Sequence, residues 1–209
     1  MSNTYIKTHD YTARIIMLGD CCVGKTSFTY IMRDIHNFNH IYNPTIGVDY
    51  SSKTINLKDS TTLKCQIWDT AGQEKFVSII KCYFKKVAGA IVMFDLSRRT
   101  TFNNLKFWFD EINKNTGDYP ISIILVGNKS DNQYREISKK EAQEFAKKMN
   151  CLYVEISVKK NKNINKVLPM LCEDIYKNKN SNKGLNEIRG IKITNRSGDL
   201  EYTDCCCCC

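Results

Sequence analysis

Eight consecutive residues, Gly19-Asp20-Cys21-Cys22-Val23-Gly24-Lys25-Thr26, fit the pattern GxxxxGK[ST], and Ser27 follows them. Loops of this composition wrap phosphate groups with backbone N–H groups; glycine permits close approach, and the start of the next helix adds positive potential. Lys25 is placed to reach β- and γ-phosphates, and the Thr26 hydroxyl to bind Mg²⁺. A second segment, Trp68-Asp69-Thr70-Ala71-Gly72-Gln73-Glu74, offers Asp69 to support Mg²⁺, often through water, and leaves the Gly72 N–H and the Gln73 amide near a γ-phosphate. A third, Asn128-Lys129-Ser130-Asp131, carries a carboxylate that can accept two hydrogen bonds, from N1–H and the exocyclic amine of guanine. Adenine presents no such donor pair. Alone, the third segment is a polar turn after a strand; behind the other two, in this order, it reads as base recognition.

The remaining reactive residues point elsewhere. Of the 11 cysteines, six are scattered (Cys21, Cys22, Cys65, Cys82, Cys151, Cys172) and five, Cys205 to Cys209, end the sequence. No pair among the six scattered cysteines has zinc-binding spacing, and a polar start, MSNTYIKTHDYTAR, lacks the apolar core of a secretory signal, so reduced thiols in a cytosolic setting are expected. No apolar run approaches the roughly 20 residues of a spanning helix. With 42% apolar and 25% charged residues, the 209-residue chain has a globular mixture suited to one domain plus some unstructured length, which excludes a multidomain enzyme. The net charge of +9 suits an acidic partner, yet the basic residues lack the interleaved aromatic platform of a nucleic-acid binder. No nucleic acid is expected as a partner.

These segments need elements to hold them. Strand-like runs fall at Arg14 to Leu18, Val48 to Leu57, Leu63 to Trp68, Ala90 to Phe94, Ile121 to Val126 and Leu152 to Ile156. Lys58-Asp59-Ser60 joins the second and third as an antiparallel hairpin. Ser138 with Glu141 forms a capping box, and Ala142, Phe145, Ala146 and Met149 then share a helix face; Ile164, Val167, Leu168, Leu171, Cys172 and Ile175 repeat that spacing. Pro169 inside the latter predicts a kink or a late helix start. Strands alternating with helices imply a mostly parallel sheet covered on both faces. The expected layout is an extension over 1-10, a domain over 11-177 and, on Asn-, Lys-, Ser- and Gly-rich composition, a flexible tail over 178-209.

Taken together, these motifs resemble the small GTPases of the Ras superfamily, and the Rab family in particular, over about Tyr11 to Tyr176. The Rab-like features are Ile46-Gly47-Val48-Asp49-Tyr50, Gln66-Ile67-Trp68 leading into DTAGQEKF, and the terminal cysteines. The resemblance implies an α/β P-loop GTPase fold with a six-stranded sheet, five strands parallel and one antiparallel at the edge side. It implies a GTP/GDP switch with Mg²⁺ that regulates vesicle traffic, in which Thr45 joins Thr26 on the metal and Gln73 with the Thr45 carbonyl orients the attacking water. Ser157-Val158-Lys159 would be the second guanine loop, with the Val158 N–H on guanine O6. Ile46, Gly47, Val48, Asp49, Tyr50, Trp68 and Tyr83 would face effector proteins, although core packing is an equal reading of Tyr83.

Family resemblance further implies an exchange factor, a prenyl-carrying escort, a GDP-dissociation inhibitor and a monomeric state. A GTPase-activating protein is also expected, because no internal arginine finger is present. Geranylgeranylation of Cys208 and Cys209 would anchor the chain at the cytosolic face of an intracellular membrane; the acids Asp199, Glu201 and Asp204 beside them disfavour a polybasic second signal, so the second signal would be another lipid. Some positions depart from the family pattern: Cys21 and Cys22 in the phosphate loop, Lys75, Lys85-Lys86-Val87, and Val158 in place of a usual Ala, whose extra methyls are expected to loosen the guanine contact. A scaffold that holds GTP without cycling, and a signalling GTPase outside the Rab family, remain the alternatives at this point.

Overall fold

Apolar residues fill both faces of the run Tyr11–Leu18: Ala13, Ile15 and Met17 enter one layer, Ile16 and Leu18 the other. A strand buried on both faces belongs inside a sheet covered by helices. The computed structural model describes residues 5–6, 9–33, 48–70, 81–84, 86–116, 120–179, 185–187 and 191–192. After β1 (Tyr5–Ile6) comes this central strand, β2, which begins three residues earlier than the sequence suggests. Then follow β3 (Val48–Asn56), β4 (Thr62–Thr70), β5 (Gly89–Asp95), β6 (Ser122–Asn128) and β7 (Leu152–Glu155). The order across the sheet is β3-β4-β2-β5-β6-β7, with β3 antiparallel at the edge and the other five parallel. The β3–β4 hairpin turns through Ser60, whose φ of 67° lies in the left-handed region, and is closed by the Leu57 N–H on the Thr61 carbonyl at 2.8 Å.

Helices α1 (Lys25–Met32) and α5 (Ile164–Lys177) cover one face. There Phe28 and Met32 share a layer with the expected stripe Ile164, Val167, Leu168, Leu171, Cys172 and Ile175. Cys65 and Cys172 meet in it as free thiols, their sulfurs 3.2 Å apart. Helices α2 (Arg99–Asn103), α3 (Leu105–Thr116) and α4 (Lys139–Lys148) cover the other face through Phe102, Leu105, Trp108, Phe109, Ala142 and Ala146. The Ser138 Oγ caps α4 by accepting from the Glu141 N–H at 3.1 Å, as the sequence requires. Helix α5 runs through Pro169 and starts five residues before it, so the proline does not delay the start; it removes one backbone donor inside the helix.

The flanks hold more structure than their composition suggests. Leu185–Glu187 (β8) pairs antiparallel with Tyr11–Ala13, and Ile191–Lys192 (β9) with Tyr5–Ile6. The reason lies in the sheet: β5 pairs with β2 only from Ile15 onward, which leaves the N–H and C=O groups of Tyr11–Ala13 open on that side until β8 takes them. Stretches 1-10 and 178-209, expected as an extension and a flexible tail, thus each contribute a paired strand.

Candidate functional site

Parallel strands bring their C-terminal ends to one rim, and the loops leaving β2, β4, β6 and β7 contain the three motifs and Ser157-Val158-Lys159. The phosphate loop begins at Gly19, with φ 132°, where a Cβ would sit 2.1 Å from the Met93 carbonyl oxygen. It ends at Gly24, with φ 100°, where a Cβ would sit 2.3 Å from the Asn128 side-chain nitrogen. No other residue type fits either place. No side chain caps the start of α1 at Gly24, so that end presents its N–H groups to a ligand. Cys21 and Cys22 are exposed on the loop, and Cys22 takes φ 61°.

Two buried charges stand at the phosphate end. Lys25, only 5% exposed, donates from Nζ to the Gly19 carbonyl at 2.8 Å and the Asp20 carbonyl at 2.9 Å, a coiled-back pose for a side chain that would otherwise reach phosphate. Burial pushes its ammonium down to about 8, against the pull of Asp69 and Asp20. Asp69, 1% exposed at the end of β4, has neither carboxylate oxygen in a hydrogen bond of ordinary geometry. Burial pushes it up to about 6, and the Thr26 hydroxyl and Lys25 offset part of that. The next residue, Thr70, pins the strand end by donating from its hydroxyl to the Met17 carbonyl at 2.6 Å.

A buried carboxylate with no hydrogen bond of ordinary geometry, beside a threonine hydroxyl, fits a hard cation. Among the described residues no group of three or more His, Cys, Asp or Glu could hold a metal by itself. Thr26 and Asp69 therefore fit Mg²⁺ as partial ligands, with phosphate oxygens and water completing the shell, and Ser27 lies beside Thr26 in the first turn of α1.

The base end is wired differently. Asn128, 2% exposed, donates from Nδ2 to the Val23 carbonyl at 2.8 Å; its Oδ1 accepts from the Lys129 N–H at 2.7 Å and the Val158 N–H at 3.1 Å. One side chain thereby joins the phosphate loop to the loops at 128–131 and 157–159. Lys129 takes φ 64°, and its ammonium lies 2.6 Å from the buried Asp95 carboxylate. Burial pushes Asp95 up, but Lys129 and Ser97 outweigh it and hold the carboxyl below its usual range. Asp131 accepts from the Ser157 hydroxyl at 2.5 Å, and the Lys160 N–H donates to Ser157 Oγ at 3.0 Å. Lys159 is exposed on the same turn.

Val158 bears on two sequence expectations. Its N–H, expected on guanine O6, donates to Asn128 Oδ1 at 3.1 Å. Its extra methyls, expected to crowd the base, are 6% exposed within the α1–α5 layer beside Ile156 and Ile164, because the loop turns that side chain into the core.

Asp20, expected at the nucleotide, offers it no carboxylate: Oδ1 accepts from Trp108 Nε1 and Oδ2 from Asn104 Nδ2, each at 2.8 Å. Arg98 donates to the Cys21 carbonyl at 2.6 Å. Sequence reading missed Arg98, Asn104 and Trp108; an acid inside a phosphate-binding loop was the signal that a donor must come from elsewhere. On the outer surface the Tyr50 and Trp68 rings lie 5.0 Å apart and Trp68 and Tyr83 5.2 Å apart, so the three expected aromatics form one cluster next to Val48 and Asp49. Tyr83 also packs on the α3 layer. Thr45, Ile46, Gly47, Gly72, Gln73, Cys208 and Cys209 lie outside the described residues.

A model of the Ras family matches residues 14–177. Ras-related protein SEC4 of Saccharomyces cerevisiae is 33% identical over 205 residues, which span 96% of this chain and 94% of that protein. Ras-related protein RabC of Dictyostelium discoideum is 38% identical over 178 residues, spanning 84% of this chain and 90% of that protein.

Proposed function

The chain belongs to the Ras family, as a Rab-type small GTPase, and from that premise we propose how its own residues bind, switch and anchor. It is a GTP phosphohydrolase, and GTPases of this family bind GTP or GDP together with Mg²⁺. Phosphates lie on the N–H groups of Asp20 to Thr26, and Lys25 leaves the Gly19 and Asp20 carbonyls to meet the β- and γ-oxygens. Thr26, Asp69 and Thr45 would hold Mg²⁺, which would supply charge neutralisation at the phosphates. Gly72 donates to the γ-phosphate while Gln73 and the Thr45 carbonyl aim a water in line with it. The buried Lys25 ammonium and the helix N-terminus then stabilise charge spreading over the oxygens in the transition state.

The base lies against Asn128, Lys129, Ser157, Val158 and Lys159, with Asp131 accepting from guanine N1–H and the exocyclic amine. Effector proteins read Val48, Asp49, Tyr50, Trp68 and Tyr83, together with Ile46 and Gly47, when GTP is bound. Two lipids on Cys208 and Cys209 hold the chain at the cytosolic face of an intracellular membrane, where it regulates vesicle traffic; no helix among the described residues is long and apolar enough to cross one. An exchange factor, a GTPase-activating protein, a prenyl-carrying escort and a GDP-dissociation inhibitor complete the cycle.

The observation that carries the nucleotide reading is Asn128, whose single side chain ties the phosphate loop to both base loops and so makes them one pocket. The test is Asp131→Asn. The amide accepts from one guanine donor and turns its own NH2 toward the other, so GDP affinity should fall by about a hundredfold, one charge-assisted hydrogen bond lost and the other made neutral, while xanthosine diphosphate binding improves. Unchanged GDP affinity in a titration with both nucleotides would exclude Asp131 as the base-reading group.

A further inference from the structure

Asp20 is the only acid between Gly19 and Thr26, and its backbone carbonyl sits 2.9 Å from the Lys25 ammonium. A carboxylate on that loop, free to rotate, would add a negative charge where phosphate oxygens gather. It is not free: both oxygens are occupied by donors from beyond β5, Trp108 Nε1 and Asn104 Nδ2 at 2.8 Å each. Trp108 is itself fixed, 2% exposed within the α2–α4 layer, whereas Asn104 is exposed at the junction of α2 and α3. Arg98, at the start of the same segment, holds the neighbouring Cys21 carbonyl. Its first residues also grip the base end: Asp95 pairs with Lys129, and the Leu96 N–H donates to the Asn128 carbonyl at 3.0 Å.

We propose that Asn104 and Trp108 are positioning residues that hold the Asp20 carboxylate away from the bound phosphates, and that this hold slows nucleotide release. This rests on the reading of Gly19 to Thr26 as a nucleotide-phosphate loop. The segment from Asp95 to Trp108 then acts as a bracket behind the pocket. It touches the phosphate loop at one end and the base loop at the other. Loosening the bracket frees a carboxylate beside the phosphates, and the repulsion between them lowers nucleotide residence time. An exposed charge of this kind is screened by salt, so the effect should depend on ionic strength.

The experiment follows release of a fluorescent GDP analogue from the full chain with Mg²⁺, in wild type, Trp108→Phe and Asn104→Ala, and again with each change placed on Asp20→Ala. Phe keeps most of the buried ring, and Asn104 is exposed, so at least the second variant retains the fold. In the native background each change should speed release roughly ten- to a hundredfold, the worth of one hydrogen bond to a charged group. On Asp20→Ala the same changes should alter the rate less than twofold, and the native-background acceleration should shrink as salt is raised to about 0.5 M. Equal acceleration in both backgrounds would assign the effect to lost packing and overturn the proposal. No acceleration from either variant would overturn it as well. A wild-type chain that retains no GDP analogue would instead overturn the phosphate-loop reading, and the proposal with it.

Discussion

The two ends of the pocket are built on opposite terms. At the base end three polar side chains have protein partners, Asn128 making three hydrogen bonds, Lys129 meeting Asp95 and Asp131 meeting Ser157, while the buried Ser130 Oγ has none. At the phosphate end Asp69 is buried without such bonds and Lys25 turns back onto its own loop. Satisfied groups define a shape before anything binds. Unsatisfied charges lower the stability of the empty pocket and favour whatever supplies the missing partners.

The largest expected effect breaks the satisfied end. Asn128→Ala removes three hydrogen bonds and opens space beside Gly24, so the nucleotide-free chain should lose about 3 kcal/mol, read from the denaturant midpoint. A loss under about 1 kcal/mol would mean that the base loops hold their shape without it.

Next comes the unsatisfied end, where the sign reverses. Burial raises the Asp69 carboxyl from its ordinary 3.8 to about 6, so its contribution to folding is fully present below pH 3.8 and is lost as pH rises through about 6. Above that, the empty pocket carries an unfavourable charge. Asp69→Asn should therefore stabilise the nucleotide-free chain at pH 7.5 by about 2 kcal/mol, somewhat less than the full shift because the buried amide still lacks partners. The gain should vanish below pH 4, and Mg²⁺-dependent retention of GDP should be lost in the same variant. Thermal melts across pH 4 to 8 would check the first part, and nucleotide release with and without EDTA the second.

The smallest effect sharpens the border between the two ends. Val158→Ala leaves its N–H on Asn128 but removes two methyl groups from the core, so it should cost about 1 kcal/mol of stability. It should leave GDP release within twofold of wild type. Markedly slower release would restore the idea that valine crowds the base.

Much of this site was legible because its signals are local. GxxxxGK[ST] encodes its own turn, and the glycines at 19 and 24 occupy conformations that the sequence pattern already requires. The strand-and-helix frame was legible from periodicity, down to the Ser138 cap. What escaped is pairing between distant positions. Asp20 finds Asn104 and Trp108 at separations of 84 and 88 residues, and no periodic signal records which acid a tryptophan N–H will meet. The direction of the Val158 side chain escaped for a related reason: its motif places it at the base, but only the packed fold shows which way it turns. The short strands β8 and β9, of three and two residues, are too brief for alternation to reveal them.

If lipids on Cys208 and Cys209 hold the chain at a membrane as proposed, those two strands change the arithmetic of distance there. From 178 to 204 the chain has 27 residues, enough to extend about 90 Å; beyond the pairing at Lys192, residues 193–204 can extend only about 40 Å. Because the volume swept by a tethered body grows as the cube of its reach, closing β8 and β9 confines the GTPase to roughly a tenth of the space. A surface-bound partner within the shorter radius then meets it at a roughly tenfold higher local concentration, and one beyond that radius does not meet it at all.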